Sequence, residues 1–479
     1  MRFPEKMPKL RSTILLLLTV CLLGACRGEE AEKGETGLRA PRHVFLITVD
    51  TLRADHLSAY GYGRATSPNL DRLAGTGVLF ERAVAQWPKT GSSFASMFTG
   101  LYPHTTGITH KAAVRIPAEY LTLPELFQES GYTTVAVQSN PVLAGRLGWN
   151  TGFDEYLQSW GEGDVPEDPS ALRPLIQADK VNGLALPLLG RRAKEEKLFA
   201  WIHYTDPHAP YELPTGTENP FLDDAHFTGD EVVPTDVNPG YRLGDRTDLK
   251  YYVAQYDANV RVADEAIRKV LDEARSLGLL DDALVIFTAD HGESLGEHDS
   301  WFVHGPLPYN TTARVPLVFL GTGVPAGRRV GRPVELIDLY PTLRDLIAPG
   351  REVPGLEGES LAPFVRGEAP EAGFRRAFSQ AGQKSDRYHS VQDETWKLIF
   401  NSGGKRSRAA TSPTRGLELY DLSRDPLETK NLAATNVEQV RRLRSDLLAW
   451  IKSGKRQGRD EGETTPEAER AVRALGYVN

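Results

Sequence analysis

A chain of 479 residues is long enough for one large domain with a smaller companion, and 40% hydrophobic with 25% charged residues is the composition of a soluble globular protein. Only Cys21 and Cys26 are present, so no disulfide framework holds the fold. The formal net charge of −8 argues against nucleic acid as a partner.

Arg2, Lys6, Lys9 and Arg11 precede an apolar run from Ile14 to Leu23. That run is too short to span a bilayer and suits the hydrophobic region of a signal peptide. It ends in Leu23-Gly24-Ala25-Cys26, which resembles a bacterial lipobox and implies cleavage after residue 25 with a lipid anchor on Cys26. An ordinary secretory signal over residues 1–25 is the alternative, and either one exports the mature protein. Loss of those residues removes four basic side chains and one acidic, leaving 52 Lys+Arg against 63 Asp+Glu and a formal net charge of −11. Residues 26–40 are polar, charged and aperiodic, the pattern of a flexible tether. No second hydrophobic stretch is long enough to cross a membrane, so the expected attachment is by lipid alone. Arg27 is not the aspartate that retains lipoproteins at the inner membrane, which by the same resemblance implies the periplasmic face of the outer membrane.

The first strand is expected from His43 to Val49, a nearly continuous apolar run suited to burial on both faces. Ser67 as N-cap with Pro68 behind it signals a short helix. Thr122-Leu123-Pro124-Glu125 is a capping box that opens a helix stopping near Gly131. Thr133 to Val137, Leu198 to Tyr204, Leu284 to Ala289 and Val315 to Phe319 read as further strands. Polar, Pro/Gly-rich insertions are expected at about 157–196 and 212–247. Val253, Tyr256, Val260, Ala263, Ile267, Val270 and Ala274 recur at steps of three and four, the mark of a long amphipathic helix. Beyond the Pro/Gly-rich stretch from Pro349 to Pro363, Ser390 to Phe400 and Leu417 to Leu422 read as strands, and Val437 to Ile451 as a helix. The expected class is α/β, a large mixed sheet sandwiched by helices over residues 41–370, followed by a small α+β subdomain and tail over 371–479.

Chemistry concentrates at predicted strand ends. Asp50 closes the first strand, and Asp290 and His291 close the one from Leu284. Ligands of α/β sheets bind beyond the carboxyl ends of strands, and two carboxylates with one imidazole suit a divalent ion, zinc or manganese ahead of calcium or magnesium. The competing reading is that such aspartates only cap the next helix. Thr90 stands at the expected N-cap of a helix running to Phe98, with Gly100 as its stop. A hydroxyl there can join the metal and become a nucleophile, while the helix N-terminus offers amides to an oxyanion. Ser92 and Ser93 are the alternative nucleophiles. His208, just after the strand that ends at Tyr204, and His304 can contact a non-bridging oxygen, protonate a leaving group or bind a second metal. His203, inside that strand, reads as a satisfied core histidine.

Together these segments resemble the sulfatase branch of the alkaline phosphatase superfamily over nearly all of residues 43–452. The resemblance runs through Asp50-Thr51-Leu52-Arg53-Ala54-Asp55, Thr66 to Ala74, Thr99 to His104, Asp206-Pro207-His208, Asp290 to Glu297, Arg314-Val315-Pro316 and Leu419 to Leu422. The departures are informative. The family carries a cysteine or serine, converted to formylglycine, where this chain has Thr90, and an arginine where it has Phe94. The family's lysine-x-histidine segment falls on Gln138-Ser139-Asn140, its second sulfate-binding lysine on His304 and its second acidic ligand on Thr51. The remaining set resembles phosphoethanolamine transferases and related phosphodiesterases. That resemblance implies Asp50, Thr90, Asp290 and His291 at a metal, Thr90 attacking phosphorus, and His208 and His304 at the phosphate. The expected activity is hydrolysis or transfer of phosphate mono- or diesters on a small-molecule, lipid or glycan substrate. A sulfuric ester hydrolase is the second expectation, and a non-catalytic envelope lipoprotein binding an anionic ligand the third.

Overall fold

The computed structural model describes residues 40–109, 115–161, 163, 165–166, 169–222, 231–368, 375–382, 387–401 and 416–454. The chain divides into two units, Met1–Leu38 and Arg39–Asn479. The first, with the expected signal peptide and Cys26, lies outside the described residues, and the architecture below is that of the second. None of the described helices is long and apolar enough to cross a membrane.

Among the described residues, nine strands form one mixed sheet. They are β1 (His43–Val49), β2 (Val78–Val84), β3 (Thr133–Gln138), β4 (Glu155–Gln158), β5 (Leu198–Tyr204) and β6 (Ala283–Ala289). After a small hairpin of β7 (Ser294–Leu295) and β8 (Trp301–Val303) come β9 (Arg314–Gly321), β10 (Arg328–Val330) and β11 (Val334–Glu335). The order is β10-β2-β9-β6-β1-β5-β3-β4, with β11 also paired to β2. β1 lies parallel between β5 and β6, and every one of its seven residues is buried, as an apolar run with both faces covered requires. β9 runs antiparallel between β2 and β6, which makes the sheet mixed.

The register places the site. Val49 is level with Tyr204 on one side and Ala289 on the other, so Asp50, Thr205 and Asp290 leave the sheet together at its carboxyl edge. Two groups of helices flank it. One comprises α1 (Pro68–Ala74), α4 (Ala178–Arg192) and α5 (Leu249–Ser276), with α5 in contact with the other two. The other comprises α2 (Thr90–Thr99), α3 (Leu123–Glu129) and α6 (Leu339–Ile347). The capping box at Thr122 forms as expected: its side chain accepts from the Glu125 amide, and the Glu125 carboxylate accepts from the Thr122 amide. α5 starts at Asp248, whose carboxylate accepts from the Tyr251 amide, and buries the expected stripe from Val253 to Ala274.

The C-terminal part is a four-stranded antiparallel sheet of β12 (Ala377–Ala381), β13 (Tyr388–Gln392), β14 (Trp396–Asn401) and β15 (Leu417–Asp421), covered by α7 (Val437–Gly454). Val391, Leu398, Leu419, Leu443, Leu447 and Trp450 share one core with Tyr102 and Ile337 of the large sheet's domain. The expected boundary near 370 falls among residues not described.

Three expectations change. The stretch 157–196 is not irregular throughout, since α4 occupies Ala178–Arg192 despite Gly183 and Pro187 inside it. Apolar anchors Val181, Ala185, Leu188 and Leu189 are buried there, so packing against α5 and β5 outweighs poor helix propensity. Ser390 to Phe400 is two strands rather than one, because the Asp393 carboxylate accepts from the Thr395 and Trp396 amides and turns the chain. β2 was not expected at all. Glu81 and Arg82 interrupt its apolar pattern at a register shift against β9.

Candidate active site

The carboxyl edge of β1 and β6 assembles a buried acid–imidazole cluster. Asp50, Asp290 and His291 are all fully buried, and one ligand atom from each lies within 4.8 Å of the others. Each is oriented by its own partner. The Asn140 amide donates to Asp50 Oδ2 at 2.5 Å. Asp290 Oδ1 accepts from the His291 amide at 2.8 Å and the Thr51 amide at 3.3 Å. His291 Nδ1 is 3.0 Å from the Gly292 carbonyl, an acceptor only, so that nitrogen carries the proton and Nε2 presents its lone pair to the cluster.

The unsatisfied atoms point the same way. Asp50 Oδ1 and Asp290 Oδ2 are buried without a hydrogen-bond partner, while His291 Nε2 stands 3.9 Å from the first and 3.3 Å from the second. Burial pushes the Asp50 carboxyl well up, aided by repulsion from Asp290, and lifts Asp290 to about 7. Burial also drives His291 well below its ordinary value, with repulsion from His304 second. Two desolvated carboxylates facing an imidazole lone pair are costly by themselves. A divalent cation reverses each of those penalties, so the donor set fits one.

Thr90 joins this group. Its Oγ1 lies 3.3 Å from His291 Nε2, and the side chain is buried. It is the first residue inside α2 rather than the cap; Lys89 takes the N-cap position, with extended backbone and no capping hydrogen bond from its side chain. The helix therefore begins one residue earlier than expected and ends as expected at Gly100, whose φ of 68° is the left-handed stop. Ser92 and Ser93 are otherwise engaged: Ser92 Oγ donates to the Thr109 carbonyl, and Ser93 Oγ to the Asp290 carbonyl at 2.7 Å. Of the three hydroxyls, Thr90 alone meets the acid–imidazole cluster.

His208 and His304 are brought to the same place. The His304 ring stacks on His291 at 4.3 Å, and His208 meets His304 edge-on at 5.2 Å. His304 Nδ1 is 3.0 Å from Glu293 Oε1, and His208 Nδ1 donates to the Ala209 carbonyl at 2.6 Å. Burial lowers His208 to about 4 and His304 to about 3, with mutual repulsion adding to the first and Lys89 to the second.

Several contributors escaped the sequence reading. Glu293, pushed up to about 7 by burial, orients His304, and its place two residues beyond His291 was the available signal. Asn140, seen only as a missing histidine, is the Asp50 partner. His203 is only half the core residue expected. Its Nδ1 meets Thr48 Oγ1 at 2.9 Å, but Nε2 has no hydrogen-bond partner and lies 4.0 Å from Asp50 Oδ2. Phe94 fills the space below the site, its ring 4.9 Å from His203 and 5.0 Å from Trp201. Thr51 has left-handed backbone at φ 53°, strained for a β-branched residue, and its carbonyl accepts from Tyr256 at 2.8 Å.

Comparison with known proteins gives one family. The sulfatase family model matches residues 42–348. An N-acetylglucosamine-6-O-sulfatase of Bacteroides thetaiotaomicron is 24% identical over 95% of this chain and 93% of its own length. Among solved structures, a 2-O GAG sulfatase superposes with a TM-score of 0.69 at 23% identity, covering 87% of this chain and 93% of that one. A phosphonate monoester hydrolase of Agrobacterium radiobacter does so with a TM-score of 0.65 at 23% identity, covering 89% and 98%. Family model and fold agree over the strands that carry Asp50, Asp290 and His291: the chain belongs to the sulfatase family and has its alkaline phosphatase-like fold.

Proposed function

We propose that this protein is a metal-dependent hydrolase of anionic tetrahedral esters in which Thr90 is the nucleophile and phosphate esters are taken ahead of sulfate esters. The observation that carries this reading is the Thr90 hydroxyl, 3.3 Å from His291 Nε2 at the first turn of α2. Asp50, Asp290, His291 and Thr90 would hold the ion, zinc or manganese ahead of calcium or magnesium. A bound divalent ion supplies a lowered hydroxyl pKa and withdraws charge from the ester oxygens.

Thr90 Oγ attacks the central atom and the bond to the ester oxygen breaks; water then attacks the same atom, the bond to Thr90 Oγ breaks, and a proton from that water restores the hydroxyl. The unpaired amides at the start of α2 face the developing oxyanion. His208 and His304, neutral when the site is empty, present Nε2 because Nδ1 is engaged. An ester anion raises the proton affinity of both rings, so one of them takes the proton that Thr90 gives up on attack and returns it to the departing ester oxygen.

Phosphorus is favoured because an unmodified alkoxide gives a stable sulfated enzyme on a sulfate ester, with no hemiacetal route to eject sulfate. Phe94 and Asn140 also stand where the family resemblance implies cationic sulfate contacts. A sulfate ester hydrolase is the second reading, supported by relatives that bear sulfatase names. Turnover of nitrophenyl phosphate, phosphodiester and sulfate, each with a panel of divalent ions, separates the two. Thr90→Ala should lose about 10³-fold or more in kcat with metal binding largely kept. Full activity in that variant rules the reading out.

We also propose, from the lipobox and Arg27, that the enzyme faces the periplasm from the outer membrane, held by lipid on Cys26. Residues 1–39 lie outside the described ones, so that placement stands on the lipobox resemblance. A Cys26→Ala protein that still fractionates with membranes contradicts it.

A further inference from the structure

Trp201 and His203 stand two residues apart on β5 and so point to the same face of the sheet, and the register sets Thr48 of β1 directly beside His203. All three are fully buried. Their hydrogen bonds run in one direction. An indole nitrogen only donates, so the Trp201 N–H, 2.9 Å from Thr48 Oγ1, makes that oxygen an acceptor. The Thr48 proton needs an acceptor in turn, and among the described residues His203 Nδ1, at 2.9 Å, is the one in reach. Nδ1 therefore keeps its lone pair, and the neutral imidazole carries its proton on Nε2. His291 has the opposite tautomer, with the proton on Nδ1.

The His203 Nε2–H is a buried donor without a hydrogen-bond partner, 4.0 Å from Asp50 Oδ2. Its ring is held in place, with Phe94 edge-on at 4.9 Å and Trp201 stacked at 6.0 Å. Asp50 Oδ2 accepts from Asn140 and has a second lone pair to offer, while Oδ1 has no partner and faces His291. We propose that His203 is a positioning residue rather than a metal ligand or a filler of the core. Its Nε2–H, aimed by Trp201 and Thr48, donates to Asp50 Oδ2 beside Asn140 and leaves Oδ1 as the oxygen that meets the ion. The N–H and the cation favour the same ionised carboxylate, so each strengthens the other. The present separation is about 1 Å beyond a hydrogen bond, so the pair must draw together when the ion binds. This inference rests on the metal-site reading above and is indifferent to which ester is cleaved.

The test uses the full chain, with zinc as the probe of affinity and cadmium as the probe for nuclear magnetic resonance. In protein labelled with 15N-histidine, long-range proton–nitrogen correlations should show His203 protonated on Nε2 and unprotonated on Nδ1, with and without cadmium. Cadmium should couple to His291 Nε2 and not to His203. In chelator competition His203→Leu should bind zinc about 10–100-fold more weakly, whereas His203→Gln, which puts an amide N–H near the place of Nε2–H, should keep most of the affinity. Thr48→Val, which has no atom at the ion, should weaken zinc binding through the tautomer alone. A proton on His203 Nδ1, cadmium coupling to His203, or wild-type zinc affinity in both His203→Leu and Thr48→Val overturns the assignment, whatever happens to the melting temperature. If His203→Leu does not fold, the tautomer and coupling in the wild-type protein decide. The two readings fail separately: wild-type zinc affinity in Asp50→Ala removes the metal site, whereas its loss there beside a His203→Leu that binds zinc normally removes only His203.

Discussion

Four side chains decide the chemistry, and what unites them is that each turns one polar atom toward the others. Asp50 and Asp290 each have one carboxylate oxygen anchored by a donor and one left bare. His291 has one nitrogen tied to a carbonyl and one turned inward. Thr90 supplies the hydroxyl. Asn140 orients Asp50 from outside, so Asn140→Ala should weaken divalent-ion affinity about 10–100-fold without unfolding the protein. Chelator competition measures this, and unchanged affinity shows that Asp50 is held by other means. Strand-end position made Asp50, Asp290 and His291 legible in the sequence, and helix punctuation did the same for Thr90. The Asn140 contact was not legible, because it joins residues ninety positions apart through the pairing of β3 with β5 and β5 with β1.

At the scale of elements, continuous apolar runs announced β1, β5, β6 and β9, and a 3.6-residue stripe announced α5. What stayed hidden were elements whose local signals conflict with their packing. α4 contains a proline, and β2 carries charge at its register shift. The junction behind α2 also rests on charge that sequence spacing does not reveal. Glu335 accepts from Tyr102, Gln86, the Phe378 amide and Arg375, with Asp338 bonded to the same arginine at 2.5 Å. Burial raises the Glu335 carboxyl; Arg375 opposes the rise and Asp338 adds to it. A carboxyl whose folded value is raised stabilises most below its unfolded value and loses that contribution as pH climbs into the neutral range. Glu335→Gln should therefore flatten the decline of melting temperature between about pH 5 and 8. An unchanged slope assigns that decline to other groups.

For the whole molecule, the C-terminal sheet is more than a companion to the large one. Lys397 on β14 is buried, bonded to Glu428 at 2.7 Å and to the Asn310 side chain at 3.1 Å, and Glu428 accepts from the Asn310 amide at 2.6 Å. Asn310 opens the turn whose Thr312 carbonyl accepts from Gly292, next to His291. Gly292 is required there, since a Cβ would collide with the Thr311 carbonyl. The Gly382 amide, just past β12, donates to Gly305 beside His304. The small sheet thus braces the two segments that bring His291 and His304 to the site. Lys397→Ala strands Glu428 in the interior and should cost about 3–5 kcal/mol in urea unfolding. A loss under about 1 kcal/mol would mean that the pair is dispensable. The central claim, a covalent intermediate on Thr90, is tested most directly by rapid-quench mass spectrometry of the metal-loaded enzyme mixed with a nitrophenyl phosphate ester. The account predicts one phosphoryl group on the peptide bearing Thr90, formed as fast as nitrophenol is released and absent in Thr90→Ala. Steady turnover with no adduct, or an adduct on Ser92 or Ser93, would contradict it.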